Sequence, residues 1–168
     1  ACRRRFLGKL LTRVALVGER LLGADIELGY LSGWAEGNAL AEALIASRDR
    51  DLQMATSTVG PHRSDIQIRV RTRRARDTVS RGQEKLVAAA LTLAQVELVS
   101  EARGQTIVLL LDEPSADLDR EHLARLLSEV AAVPAQAFVT SLDPAAVSLP
   151  AGARAFHVEH GSVQAQVL

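Results

Sequence analysis

The chain has 168 residues, which suits one domain or a domain with an appendage, and its composition is that of an ordinary globular protein. The formal net charge is zero, so binding to nucleic acid would require local basic patches. No apolar run is long enough to span a bilayer, and no signal-peptide pattern follows the basic start, so we expect no membrane partner. Cys2 is the single cysteine, which excludes an intramolecular disulfide and fits a reducing cytoplasm.

Two helices and a strand are predicted in the first 55 residues. Apolar residues at helical spacing predict an amphipathic helix that runs to about Leu22 and ends near Gly23. Ile26–Leu31 has the pattern of a short strand. An Ala/Leu-rich stretch predicts a second helix from Glu36 to about Leu52, whose last turns alternate in charge and should face solvent.

Residues 56–65 begin as an extended segment and are then interrupted by Gly60-Pro61. His62 and Arg63 follow this break. A histidine beside an arginine is more often structural or solvated than functional, so a structural role is the leading expectation for this pair.

Basic residues accumulate at the end of the next predicted strand, in which Ile66, Ile68 and Val70 alternate with polar residues. On a continuous strand, alternate arginines would point one way and form a row suited to a phosphate backbone. No aromatic residue interleaves them, so base stacking is not indicated, and a solvated hairpin tip is an equal alternative. The candidate DNA contacts are Arg69, Arg71, Arg73, Arg74 and Arg76.

A long apolar helix pattern, Gln83 to Ser100, is preceded by a capping box. Ser80 and Gln83 are spaced so that each side chain can bond the other's backbone N–H. Gly82 is a poor helix former, but its missing Cβ permits close approach of a ligand. Because a helix N-terminus with free N–H groups is also a phosphate site, capping and phosphate binding remain open as roles.

The apolar run Ile107–Leu111 predicts a strand buried on both faces, as in a parallel sheet covered by helices. Asp112 and Glu113 follow it, and ligands in such sheets bind at the carboxyl ends of the strands. An Asp there can hold Mg²⁺, and a neighbouring Glu can polarise a water. The alternative is a solvated acidic turn after a buried strand.

The remaining residues predict one helix, one buried strand and one hairpin. Asp119 is the predicted N-cap of a helix from Arg120 to Val130. Ala135–Thr140 has the pattern of another buried strand, and Asp143-Pro144 opens a turn or short helix. Strands at 153–159 and 162–167 predict a terminal hairpin around His160-Gly161.

Two motifs in this order resemble the head of ABC-type ATPases. Ser80–Gln83 resembles the signature motif, and Leu111–Asp119 resembles the Walker B strand and D-loop. With residues 56–65 and Leu93–Gln95, the chain resembles the C-terminal half of the RecF family, bacterial recombination-mediator ATPases related to SMC-like heads. The resemblance implies an α/β fold: residues 56–168 as the C-terminal lobe of an ABC-type P-loop NTPase head, mainly a parallel sheet flanked by helices, and residues 1–55 as part of a helical arm domain.

The resemblance makes the segment Gly60–Arg63 a candidate for a role near nucleotide or DNA, as the alternative to a structural role. It also implies a site and partners. Asp112 would organise Mg²⁺, and Glu113 would be the base that polarises water for attack on ATP. Contacts to the nucleotide and across an ATP-dependent homodimer would come from Ser80, Arg81, Gly82, Gln83, Ser115, Asp117 and Asp119. Such a cytoplasmic clamp would bind DNA at single-strand/double-strand junctions and help RecO and RecR load RecA at gaps, in replication, recombination, repair and the SOS response.

The chain departs from the ABC pattern in two ways. It has no Gly-x-x-x-x-Gly-Lys-Ser/Thr loop, so we expect the phosphate cradle to lie upstream and this chain alone to be inactive. Where ABC heads carry a switch histidine, it has Thr140-Ser141, whose hydroxyls can donate to a phosphate but carry no charge, which predicts a slow ATPase.

Two rival interpretations remain. One is a non-enzymatic DNA- or partner-binding module derived from an ABC ATPase. The other is a transporter-type ABC subunit, which the N-terminal helices, the segment Gly60–Arg63 and the missing switch histidine disfavour.

Overall fold

The computed structural model describes residues 2–143, 145, 147–150 and 152–166. The chain divides into two compact units, Ala1–Leu98 and Val99–Leu168. No described helix is both long enough and apolar enough to cross a membrane. In chain order the elements are α1 (Cys2–Leu22), β1 (Ile26–Leu31), α2 (Leu40–Met54), a 3-10 turn (Pro61–Arg63), β2 (Asp65–Val70), β3 (Arg73–Arg74), α3 (Ala75–Thr78), α4 (Arg81–Arg103), β4 (Ile107–Leu111), α5 (Arg120–Ala132), β5 (Ala135–Val139), β6 (Ala155–Glu159) and β7 (Ser162–Gln166).

Helix α1 packs closely on β1 in the first unit. One face of the helix is buried, with its residues at helical spacing, whereas other apolar side chains such as Leu16 are exposed. A Cβ at Gly18 would come within 2.6 Å of the Ile26 side chain, so a glycine is needed where helix and strand meet. Gly23, with φ of 59°, ends the helix as the sequence predicts. The buried positions of α1 are Leu10, Val14, Val17, Gly18 and Leu21.

Strands β1, β2 and β3 form an antiparallel sheet. Strand β1 pairs with β2 in a register that sets Ile26 opposite Val70, and both side chains are buried. This ladder joins residues on the two sides of the boundary expected at residues 55 and 56 between arm and head. That division into two domains stays a prediction.

Helix α2 begins at Leu40, four residues after the predicted start at Glu36. Gly37 has a φ of 88°, and the N–H of Asn38 donates to the carbonyl of Ala35 at 3.3 Å. The residues before Leu40 therefore form a turn. The Ala/Leu pattern could not reveal this, because alanine is compatible with both states.

Helix α4 confirms the long helix predicted after the capping box, and it is longer at both ends. It spans 23 residues and ends before Gly104, whose φ is 60°. Arg13 on α1 and Glu97 on α4 form an ion pair at 3.0 Å, which ties these two helices within the first unit. Its buried residues are Leu86, Val87, Ala90, Leu93, Ala94 and Val96.

Strands β4 and β5 of the second unit are parallel and in register from Ile107 opposite Ala135 to Leu111 opposite Val139. Helix α5 makes the crossover between them, giving the βαβ unit of an α/β fold. Among the described residues the parallel pairing is confined to β4 and β5, and the other ladders are antiparallel.

The prediction that β4 is buried on both faces is wrong, and so is the buried strand predicted at Ala135–Thr140. Leu109 is 8% exposed, but Val108 and Leu110 on the other side are 56% and 73% exposed. Leu110 lies opposite Phe138, which is 52% exposed, and β5 has no buried residue. Helix α5 packs against β5, whereas the face of Val108, Leu110 and Phe138 is uncovered in the described part of the chain.

Strands β6 and β7 form the predicted terminal hairpin. His160 and Gly161 have φ values of 47° and 77°, as a two-residue turn with two positive φ angles requires. Pro144 and Val167, which belong to the predicted turn and hairpin, lie outside the described residues.

Candidate functional site

The carboxylate pair, Asp112 and Glu113, follows directly after β4, where its parallel neighbour β5 also ends. Asp112 is exposed and Glu113 is half-buried. Glu113 has a φ of 44°, which is uncommon for a residue other than glycine. This left-handed conformation turns the chain sharply, so both carboxylates stay near the carboxyl edge of the strands.

Thr140, the first residue after β5, is bonded to both members of the carboxylate pair. Its hydroxyl donates to Asp112 Oδ1 at 2.6 Å and accepts the backbone N–H of Glu113 at 3.0 Å. Its own N–H donates to the carbonyl of Leu111 at 2.9 Å. Sequence reasoning treated Thr140 only as a replacement for a switch histidine and missed these bonds. The available signal was its position at the end of the neighbouring strand.

The carboxylate of Glu113 is held by groups on both sides. Oε1 accepts the backbone N–H of Leu142, and Oε2 accepts the hydroxyl of Ser115 at 3.3 Å. A turn closed by the N–H of Ala116 on the Glu113 carbonyl places Ser115 there. The structure therefore brings Asp112, Glu113 and Ser115 together. The role of Ser115 at a dimer interface, which the resemblance implies, stays a prediction.

The carboxylate pair has the right chemistry for Mg²⁺, but not as a complete site. Among the described residues, no group of three or more His, Cys, Asp or Glu side chains could hold a metal ion. Mg²⁺ is commonly bound through one or two carboxylates, with waters and substrate phosphates completing the shell. Asp112 would therefore fit Mg²⁺ as a ligand shared with a nucleotide.

The segment Ser80–Gln83 of the first unit forms the predicted capping box. The N–H of Ser80 donates to Gln83 Oε1 at 3.0 Å, and the N–H of Gln83 donates to Ser80 Oγ at 3.3 Å. Arg81 is exposed and Gly82 is half-buried at the start of α4. The local geometry is complete without a ligand, so contact with a nucleotide remains a prediction for these residues.

Asp119 is the N-cap of α5, as the sequence predicts. Its Oδ1 accepts the N–H of His122 at 2.8 Å, and Oδ2 lies 2.8 Å from His122 Nδ1. The backbone N–H of His122, and then its side chain, lower the pKa of Asp119. Asp117, two residues earlier, has a φ of 64° and is exposed. A role for Asp117 and Asp119 at the nucleotide and the ATP-dependent dimer interface remains a prediction.

Comparison with known proteins finds similar sequences. No protein-family profile matches the chain. It is 41% identical over 167 residues to the DNA replication and repair protein RecF of Stenotrophomonas maltophilia strain R551-3, covering 97% of this chain and 46% of that protein. It is 37% identical over 151 residues to the RecF of Shewanella oneidensis, covering 88% and 42%. Nearly the whole chain is therefore similar in sequence to part of these RecF proteins. It spans less than half the length of these relatives.

Solved structures agree with the α/β fold. Two RecF structures of the RecFOR pathway, one with ATP and one with ATPrS, match with TM-scores of 0.76 and 0.74 at 24% and 25% identity. Each match covers 99% of this chain and 46% of the other. An SMC head bound to a winged-helix domain of ScpA matches with a TM-score of 0.57 at 16% identity, covering 98% and 44%. The predicted fold class, a lobe of an ABC-type ATPase head, is confirmed.

The arginines around the turn between β2 and β3 do not form the predicted row. Arg71 and Thr72 have φ values of 49° and 70°, so the chain turns there instead of continuing as a strand. In the resulting register Arg69 lies opposite Arg74, whereas Arg73 lies opposite Val70 on the other face. Arg76 lies on α3, 3.6 Å from Asp77. The prediction that Arg69, Arg71 and Arg73 lie on one face of a strand is therefore wrong, because the turn at Arg71 and Thr72 interrupts that strand.

His62 and Arg63 fold back onto their own loop. His62 Nε2 lies 3.1 Å from the carbonyl oxygen of Ser57, and Arg63 Nε donates to the same oxygen at 3.1 Å. Position 33, which faces this loop, requires a glycine, because a Cβ there would lie only 2.1 Å from the carbonyl oxygen of Gly60. These contacts favour the structural role for the His-Arg pair.

Asp51 anchors the same loop, and sequence reasoning missed it. It accepts the N–H of Thr58 at 2.9 Å and its hydroxyl at 2.6 Å, as well as the hydroxyl of Ser47 at 3.0 Å. The Thr58 hydroxyl, followed by the Thr58 N–H, lowers the pKa of this carboxyl group. In the sequence Asp51 stands among alternating charges, so nothing distinguished it from a solvated residue.

Proposed function

We propose that the chain provides the signature, Walker B and D-loop segments of an ATP-hydrolysing head in a RecF-type DNA clamp. The observation that carries this proposal is the placement of Asp112 and Glu113 at the carboxyl end of β4, beside the parallel strand β5. Ligands bind at this edge in open α/β sheets. The existence of RecF structures with ATP supports ATP as the nucleotide.

The carboxylate pair divides the work of hydrolysis. Asp112 would hold Mg²⁺, which when bound would supply positive charge to the phosphates of ATP. Glu113 polarises the attacking water, and the bonds from Ser115 and from the N–H of Leu142 orient its carboxylate. The phosphate cradle, which these 168 residues lack, belongs to another part of the complete protein.

The signature segment acts on a second protomer. Ser80 and Gly82, at the N-terminus of α4, contact the γ-phosphate of an ATP held in the partner's cradle, because free helix N–H groups favour anions. Two such heads then enclose the nucleotides and dimerise on ATP. The other residues of this interface are Arg81, Gln83, Ser115, Asp117 and Asp119.

In the cell the complete protein binds DNA at single-strand/double-strand junctions. With RecO and RecR, it helps to load RecA at gaps, and it turns ATP over slowly. The RecF names of the relatives and the RecFOR pathway of the structural neighbours support this role. Residues 1–55 would belong to its arm domain and residues 56–168 to its head.

Two variants of the complete protein test the division of roles. Glu113→Gln should keep ATP binding and accumulate as a dimer, because the base is lost and the metal ligand is kept. Asp112→Asn should weaken Mg²⁺-dependent ATP binding itself. Nucleotide binding and sedimentation with and without ATP measure both effects, with Glu42→Gln on α2 as a control.

The division of roles is contradicted if the Asp112 and Glu113 variants bind nucleotide and dimerise alike. A complete wild-type protein that hydrolyses no ATP and does not dimerise on it would instead favour the non-enzymatic DNA- or partner-binding module.

A further inference from the structure

The hydroxyl of Thr140 is committed to the carboxylate pair. A threonine hydroxyl has one proton to donate, and here it goes to Asp112 Oδ1 at 2.6 Å. One of its lone pairs accepts the N–H of Glu113 at 3.0 Å. In this arrangement no proton remains for a phosphate. Thr140 therefore does not act as the missing switch histidine would.

The two bonds fix different parts of the pair. A carboxylate rotates readily about its last torsion, and the bond to Oδ1 holds that of Asp112 in one orientation. The bond to the N–H of Glu113 holds the backbone at a residue with a left-handed φ of 44°. The Thr140 side chain therefore fixes both the orientation of the Asp112 carboxylate and the direction of the backbone at Glu113.

Strand pairing at this edge does not depend on the hydroxyl. The backbone N–H of Thr140 donates to the carbonyl of Leu111 at 2.9 Å, and any residue except proline can make that bond. Valine has nearly the shape of threonine without the hydroxyl. Thr140→Val therefore removes the contacts with Asp112 and Glu113 while leaving the pairing of β4 and β5 intact.

We infer that Thr140 is a positioning residue that orients Asp112 to bind a divalent metal and Glu113 to polarise the attacking water. The inference rests on the proposed function, since it concerns the same carboxylates. Groups that orient a metal ligand commonly change metal affinity or activity by about 10- to 100-fold when they are removed. The hydroxyl of Thr140 is such a group.

The test uses the complete protein with Mn²⁺ as the probe for the metal. The signal of free Mn²⁺ in electron paramagnetic resonance, titrated at a fixed ATP concentration and compared with the same titration without protein, gives the metal affinity as a readout separate from the rate of turnover. Thr140→Val should weaken Mn²⁺ binding about 10-fold and lower kcat, whereas Thr140→Ser, which keeps the hydroxyl, should restore both. The matched control is Thr92→Val, because the Thr92 hydroxyl bonds only to the Ala88 carbonyl of its own helix at 2.9 Å.

Each outcome decides one claim. Wild-type Mn²⁺ affinity in Thr140→Val overturns the positioning role, and so does a Thr140→Ser variant as weak as the valine variant. If Thr140→Val melts at a lower temperature than Thr92→Val, the Thr140→Ser variant alone decides the question. A Thr140→Ser protein with the Mn²⁺ affinity and the melting temperature of wild type then supports the positioning role of the hydroxyl. A wild-type protein that binds Mn²⁺ and ATP without turnover would remove the proposed hydrolysis, yet the Mn²⁺ titrations would still decide the role of Thr140.

Discussion

The two possible roles of the Ser80 hydroxyl, helix capping and ligand binding, predict different effects of substitution. As a cap it accepts the N–H of Gln83, so Ser80→Ala should cost about 1 kcal/mol of folding free energy, and Ser80→Asp should be tolerated. As a γ-phosphate ligand it faces an anion, so Ser80→Asp should block ATP-driven dimerisation of the complete protein. We expect the second pattern.

Thermal melts and sedimentation with and without ATP separate the two roles of Ser80. A Ser80→Asp variant that melts normally and still dimerises on ATP would leave Ser80 as an ordinary helix cap.

The lowered pKa of Asp51 predicts that the stability of the protein depends on pH. Its hydrogen bonds lower the pKa of the folded state below the ordinary value of 3.8. Its stabilising contribution is therefore present above that value and is lost as the pH falls through the lower, folded value. Asp51→Asn should lower the melting temperature at pH 7, and the difference from wild type should shrink towards pH 3.

Melting curves across this pH range, with the neighbouring exposed Asp49→Asn as the control, measure the Asp51 contribution. A difference for Asp51→Asn that is the same at pH 7 and pH 3 would contradict the role of the ionised carboxylate.

The β2–β3 hairpin is the element on which the DNA-binding prediction depends. Arg69 and Arg74 lie directly opposite each other, and like charges in such positions repel unless an anion lies between them. If the hairpin contacts DNA phosphates in the complete protein, replacing both with alanine should reduce the slope of log affinity against log salt by about two units.

The matched control for the hairpin is the pair Arg48→Ala and Arg103→Ala, which removes the same charge from α2 and the end of α4. Affinity measured over a series of salt concentrations gives the slopes. Equal slopes for wild type and the hairpin variant would identify the hairpin as a solvated tip.

Local features of helix ends and turns were predictable from the sequence. The capping box at Ser80, the N-cap at Asp119 and the turn at His160-Gly161 depend on neighbouring residues, and the structure has all three. The late start of α2 and the turn at Arg71-Thr72 were missed, because periodicity does not report left-handed backbone. The exposed face of β4 was missed because burial depends on which other segments cover the sheet.

The carboxylate pair was predictable from sequence, but the groups that hold it were not. Asp112 and Glu113 follow a recognisable apolar run. Thr140 reaches them only because β5 lies parallel to β4, which brings residues 28 positions apart into contact. Such contacts follow from strand order, which the spacing of residues along one strand does not show.

Under the proposed function, catalysis requires two parts of the complete protein. This chain would supply the carboxylate pair and the signature segment, and a phosphate cradle elsewhere in the complete protein would hold the nucleotide. The isolated chain should therefore show no metal-dependent ATP hydrolysis above its Glu113→Gln variant, and turnover by the chain alone would remove the need for a cradle.

The central claim, that Glu113 is the base of an ATPase, is tested most directly by single-turnover ATP hydrolysis in the complete protein at saturating Mg²⁺. We expect wild type to cleave the bound ATP slowly, and we expect Glu113→Gln to bind it equally well but to lower the cleavage rate about 100-fold or more, the usual scale for loss of a general base. Cleavage of bound ATP by Glu113→Gln at the wild-type rate would contradict this role of Glu113.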